Sequence, residues 1–216
     1  MAFRQELIKH IPGKTLIRPG KHFITLLFIF ILSAVPGLPA DRPCLELWEE
    51  FSHKPGKVQL INWMKDTARN IILKRKAFTS PEFSFPAPSG CTGFFVTLIR
   101  KGKVRGCFGA FSHRHSALPL ILKEYISGAI FLDPRHKPVE LYELDDSEII
   151  LTVTSFPEPV NDINNVDISD FGLFIDCENS TKTVIVPAEF RTASYVMNHT
   201  GISHCRFYRF RAVTIR

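Results

Sequence analysis

Cys107 is the residue around which chemistry is most readily drawn in this chain of 216 residues. It stands two positions after Arg105 in the run Val104-Arg105-Gly106-Cys107-Phe108-Gly109. A thiol reacts as its thiolate, and a guanidinium on the same face favours that form. Gly106 and Gly109 carry no Cβ, so a ligand or another chain can approach the backbone closely there. The plainer reading makes Cys107 a small core residue and Arg105 an ion-paired structural one. Downstream lie His113, His115 and His136, with Asp133 nearby. If the chain stays extended from residue 112, His113 and His115 share a face. With Cys107 and Asp133 they would offer a zinc or redox-metal set, or one of them would act as base for the thiol. Polar loop histidines are the commoner case, so no metal is expected. The chain has no Gly-rich phosphate loop, Gly-x-Ser-x-Gly elbow or His-Glu-x-x-His segment, and no cofactor is expected either.

Positioning these residues falls to a β-hairpin. Phe94–Ile99 and Val104–Gly109 alternate around Arg100-Lys101-Gly102-Lys103, with the turn at Lys101-Gly102. A two-residue loop pairs Arg100 with Lys103, Leu98 with Arg105, Val96 with Cys107 and Phe95 with Phe108. Alternation then puts Arg105 and Cys107 on one face, and Phe95, Ile99, Val104 and Phe108 on an apolar one. Around the hairpin, residues 45–77 read as a helix, closed by Lys74-Arg75-Lys76, and 79–90 as a proline-rich linker. A second helix spans 116–131 and stops before Asp133-Pro134. Residues 148–155 form a strand, 171–177 and 183–186 a second hairpin, 188–200 a helix, and 205–215 a last strand. Asp145-Asp146 reads as a solvated turn or helix end. Helices and hairpins without regular βαβ alternation indicate an α+β domain with an antiparallel or mixed sheet.

The chain carries a formal net charge of +6, but five cations against Glu6 sit in residues 1–40. The nearly neutral remainder has no general field for phosphate backbones, so no nucleic-acid partner is expected. The N-terminal charge precedes an uncharged run, Phe23–Val35, then Pro36-Gly37 and the small-residue boundary at Ala40. Residues 1–40 therefore read as a signal peptide or membrane anchor, and 41–216 as a domain exported or held at the outer face of a membrane. Five cysteines without a Cys-x-x-Cys pair exclude zinc-ribbon and thioredoxin-type sites. In an oxidising compartment they allow up to two bridges and one leftover thiol, with the pairing open. Asn179-Ser180-Thr181 and Asn198-His199-Thr200 are glycosylation sequons.

Gly93–Leu98, the Lys101-Gly102 turn and above all Val104–Gly109 resemble the central hairpin of AMMECR-type domains. Leu118-Pro119-Leu120, Asp133-Pro134-Arg135, and Glu140-Leu141 through Val153-Thr154 follow in the same order, over roughly residues 45–216. The resemblance implies a two-lobed α+β fold with a cleft beside the Arg-Gly-Cys strand. Arg105, Gly106, Cys107, Gly109, Asp133 and Arg135 are the ligand-binding candidates, with Cys107 as a catalytic thiol. It also implies an association with Memo-type or radical-SAM proteins. His136 stands where the family usually has an aromatic residue. Two functional classes follow: a domain binding a small anion, a peptide or a protein partner in that cleft, and a thiol- or metal-dependent enzyme built there. Binding leads, because no complete catalytic set is visible.

Overall fold

The hairpin turn forms as expected. Lys101 and Gly102 both take positive φ, 49° and 71°, as a tight two-residue loop between right-twisted strands requires. The computed structural model describes residues 44–75, 79–88, 90–91, 93–161, 163, 166–167, 170–178, 182–189 and 205–216. Within these, β1 (Gly93–Arg100) and β2 (Lys103–Ala110) pair antiparallel.

Their register departs from the sequence expectation. Arg100 faces Lys103 and Ile99 faces Val104, but Leu98 then faces Gly106, Thr97 faces Cys107, Val96 faces Phe108 and Phe95 faces Gly109. Arg105 is the extra residue of a β-bulge. One inserted residue turns every later side chain of β2 to the other face relative to β1. Phe108 and Phe95 consequently lie on opposite sides of the sheet, and Arg105 and Cys107 do not form the shared face that simple alternation gives.

The sheet continues through β3 (Ser147–Thr154), β7 (Cys205–Ile215), β5 (Phe171–Cys177) and β6 (Lys182–Ile185), in the order β2-β1-β3-β7-β5-β6. A short β4 (Glu158–Val160) pairs with β7 after the bend at Ser155–Pro157. Every pairing among the described residues is antiparallel, which settles the sheet type.

The expected helix 45–77 is two helices, α1 (Cys44–Ser52) and α2 (Gly56–Ile72). Pro55 has no amide proton to continue α1, and its fixed φ instead caps the start of α2. The third, α3 (Leu118–Phe131), ends before Asp133-Pro134 as expected. The sequence reading missed α4 (Leu141–Asp145), held by a capping box between Glu140 and Glu143. Asp145 and Asp146 are its end.

Buried Trp48, Leu60 and Met64 of α1 and α2 join Leu118, Ile121, Leu122 and Ile126 of α3 in one core. This core covers Phe94, Val96, Leu98, Ile149, Leu151 and Val153 on one face of the sheet. Gly106 permits the approach: a Cβ there would collide with the Ala129 carbonyl oxygen of α3. On the other face, Phe95, Val186 and Phe210 make a smaller cluster with Phe111 and Cys107 at its border. A further cluster, Ile163, Val166, Leu173 and Ile175, fills the β5–β6 end. Cys44–Cys91 and Cys177–Cys205 are disulfides and Cys107 is the free thiol.

The segment 1–40, both sequons and the expected helix beyond Glu189 lie outside the described residues. Pro187–Glu189 forms a 3-10 turn. Among the described residues no helix is long and apolar enough to cross a membrane.

Candidate functional site

Because β2 is the edge strand, its outward amides need partners from outside the sheet. The loop after α3 supplies them. The Cys107 amide donates to Asp133 Oδ2 at 2.8 Å. Asp133, whose side chain is almost fully buried, also accepts from the amide and Nε of Arg135 at Oδ1 (3.0 and 2.9 Å). Arg135 Nη2 reaches Oδ2 at 2.8 Å and continues to Glu189 Oε1 at 2.9 Å. Burial works against the Asp133 charge, but the Arg135 bonds and the Cys107 amide hold its carboxyl below the usual range. Asp133 in turn raises the Arg135 pKa.

Cys107 closes the arrangement. Its Sγ accepts a hydrogen bond from Thr97 Oγ1 at 3.3 Å and faces the Glu189 carboxylate. Burial first, then the Glu189 charge and its acceptance of the thiol proton, push the Cys107 pKa well above its ordinary 9.0. Thr97 and Arg135 pull the other way and lose. The thiol is therefore protonated and a weak nucleophile at neutral pH.

Arg105, the cation expected to activate it, does something else. At the bulge it is aimed at α4, donating through Nε to Glu143 Oε1 (2.8 Å) and through Nη2 to Oε2 (2.7 Å). Its Nη1 and Nη2 also donate to the carbonyls of Lys137 and Pro138 at 2.9 and 3.1 Å. Glu143 is pushed down to about 2, chiefly by the Arg105 bond. Arg105 is thus the ion-paired structural residue of the plainer reading, fastening the loop that carries Asp133 and Arg135.

Of the sequence candidates, the structure brings Cys107, Asp133 and Arg135 together. Gly106 lies buried under α3. Gly109 lies against the Phe94 and Phe95 backbone, where a Cβ would clash. Neither glycine offers open backbone to a ligand. His113 packs between Phe94 and Tyr125 on the helix side, with Nδ1 at 2.6 Å from the Tyr125 hydroxyl. His115 faces Glu124 at 3.8 Å, and His136 is exposed in the loop. They do not converge on Cys107, and no group of three metal-ligating side chains occurs among the described residues. Thr97, Glu143 and Glu189 escaped the sequence reading. Glu140 is not a usual N-cap residue, so the Glu140-x-x-Glu143 box gave little signal in sequence; Glu189, 82 positions after Cys107, gave none. A cavity of about 480 Å³ lies elsewhere, against α2 and Lys123 of α3, with Trp63, Asp66, Arg69 and Arg75 in its lining.

These features define a class: an α+β domain whose edge strand carries a buffered thiol, latched by a charged loop. The family model described as AMMECR1 matches residues 62–207, and the chain belongs to that family, one of uncharacterised function. It is 37% identical over 123 residues to a protein of Thermotoga maritima, covering 56% of this chain and 70% of that one. It is 40% identical over 68 residues to a protein of Methanothermobacter thermautotrophicus, 32% of this chain and 35% of that one. The crystal structure of an uncharacterised protein from Pyrococcus horikoshii shares the fold, with a TM-score of 0.58 at 18% identity. It covers 77% of this chain and 90% of the other.

Proposed function

We propose that the domain is a binding module, which recognises a ligand or protein partner beside the Arg-Gly-Cys strand, rather than a thiol enzyme. One observation carries this reading: the candidate nucleophile is held as a thiol by burial and by a carboxylate, while the nearby arginine is spent on Glu143. A nucleophilic cysteine needs a net cationic surrounding, whereas half-buried Cys107 faces a carboxylate. Alkylation of the full-length chain tests it. Binding predicts that Cys107 reacts more slowly than free cysteine at neutral pH and quickly once denaturant is added. Reaction faster than free cysteine in the folded chain would favour the enzyme reading, with Glu189 taking the thiol proton.

The module is further proposed to work outside the cytoplasm. The basic stretch and uncharged run of residues 1–40 support this. So do two disulfides in a chain of five cysteines, since such bonds persist in oxidising compartments. A reporter active only outside the cytoplasm, fused after Arg216, should be active, and activity of a cytoplasmic reporter alone would refute the placement.

A further inference from the structure

Resting on the binding reading, we infer that the loop Phe131–Pro138 is the recognition surface, and that its occupant is a protein segment presenting a neutral carbonyl acceptor beside an apolar side chain. Where α3 ends and the loop begins, two large apolar residues in succession are exposed, Phe131 at 43% and Leu132 at 63%. Pro134, Arg135, His136, Lys137 and Pro138 are exposed as well. Exposed loops are usually mobile, and ordering them on binding costs affinity. This one is fastened from behind. Val139 is buried, and its amide donates to the Ile130 carbonyl at 2.9 Å, closing the base. Asp133 anchors one limb to Cys107, and Arg105 grips the Lys137 and Pro138 carbonyls on the other. A preorganised surface with apolar residues around an arginine has the composition of interface hot spots.

The charge arrangement selects the occupant. Arg135 spends Nε and Nη2 on Asp133 and Glu189. Its side chain remains 51% exposed, and its Nη1 donors make no hydrogen bond among the described residues. Asp133 and Glu189 flank Arg135, and with exposed Lys137 the surface carries two anionic and two cationic side chains, so it offers no net charge to a charged occupant. A phosphate or a free carboxylate approaching Nη1 would be repelled by Asp133 and Glu189. A peptide carbonyl carries no net charge and can accept from Nη1 without that cost, while an adjacent apolar side chain covers Leu132 and Phe131.

A displayed library of random peptides, selected on the full-length chain, tests the inference. Recovered peptides should be apolar without acidic enrichment. Their affinity should change less than about threefold between low and high salt, because no charge is neutralised. Leu132→Ser, at an exposed site that the fold does not need, should weaken them by about tenfold or more. Arg135→Lys, which keeps the charge but loses the fork, should weaken them too. The inference is overturned by recovery of no peptide, by binders indifferent to Leu132→Ser, or by acidic peptides lost at high salt. Self-association of the chain abolished by Leu132→Ser would overturn it as well. A small molecule that stabilises the chain when no peptide binds would leave the binding reading standing and remove this one. A hyper-reactive Cys107 would remove the binding reading itself.

Discussion

Arg105 forks onto Glu143 across 38 residues of sequence, at 2.8 and 2.7 Å, with side chains only 17% and 10% exposed. Removing one partner of a buried, hydrogen-bonded pair leaves the other charge uncompensated. Arg105→Ala should therefore destabilise the chain by about 2–4 kcal/mol, at the lower end because Arg100 stays within 3.3 Å of Glu143. Urea titration checks the value. A loss below about 0.5 kcal/mol, the range of ordinary surface substitutions, would contradict the clamp.

The same pair sets an acid limit. Glu143 titrates near 2 in the folded chain against an ordinary 4.5, so its contribution is fully present above pH 4.5 and is lost as pH falls toward 2. The lowered Asp133 pKa acts in the same direction. The denaturation midpoint of the wild type should fall on acidification through this window. Glu143→Gln should start lower at neutral pH and show a shallower fall, and an unchanged slope would refute the assignment.

At Cys107 the structure reverses an expectation from sequence. Arg105 was expected to lower the thiol pKa, but burial and Glu189 raise it. Glu189→Gln removes a facing negative charge, so the alkylation profile of the folded chain should move to lower pH. Arg105→Ala should leave that profile in place. If Arg105→Ala moves it to higher pH and Glu189→Gln does nothing, the described electrostatics are wrong.

This reversal shows how far the sequence was legible. The turn at Lys101-Gly102 follows from local chemistry, as do the end of α3 before Pro134 and the last strand at 205–215. The bulge does not. Gly106 inside a strand is a general bulge signal, but it does not say which residue is extra, and the bulge redirects Arg105 and inverts the faces of Phe108 and Cys107. Glu189 reaches the site because the chain after β6, at the far end of the sheet order from β2, packs across the sheet face, where Val186 meets Phe95 and Phe210. Pairings between segments so distant rest on the whole topology. Gly106 was recognised as a site of close approach, but the approaching chain is α3 itself.

That approach is unforgiving. A methyl group at 106 would drive into the Ala129 carbonyl, and backbone cannot yield as a flexible side chain does. Gly106→Ala should cost about 3 kcal/mol or more, or abolish folding, since overpacking a well-filled interior forces strands and helices apart. Gly102→Ala, at an exposed turn with φ of 71°, should cost about 1 kcal/mol. Comparing the two by thermal melting separates steric exclusion from backbone preference, and equal losses would argue against the α3 contact.

The disulfides give the last prediction. Cys44–Cys91 closes a loop of 47 residues and Cys177–Cys205 one of 28. On the chain-entropy account these restrict the unfolded state by about 4 and about 3.5 kcal/mol, as upper figures. They are not equivalent in the folded state. Cys44 begins α1, whose Trp48 and Phe51 belong to the main core, so the first bridge pins that helix to the chain entering β1. The second joins directly opposed residues of β5 and β7, strands already paired over seven positions. Loss of Cys44–Cys91 should release α1 as well as lengthen the unfolded chain, whereas loss of Cys177–Cys205 should act mainly on the unfolded state. Cys44→Ser/Cys91→Ser should therefore lower the melting temperature more than Cys177→Ser/Cys205→Ser. It should also speed amide exchange across residues 44–52, while the second variant leaves exchange there unchanged. Equal exchange at α1 in both variants would show that the first bridge does not hold that helix.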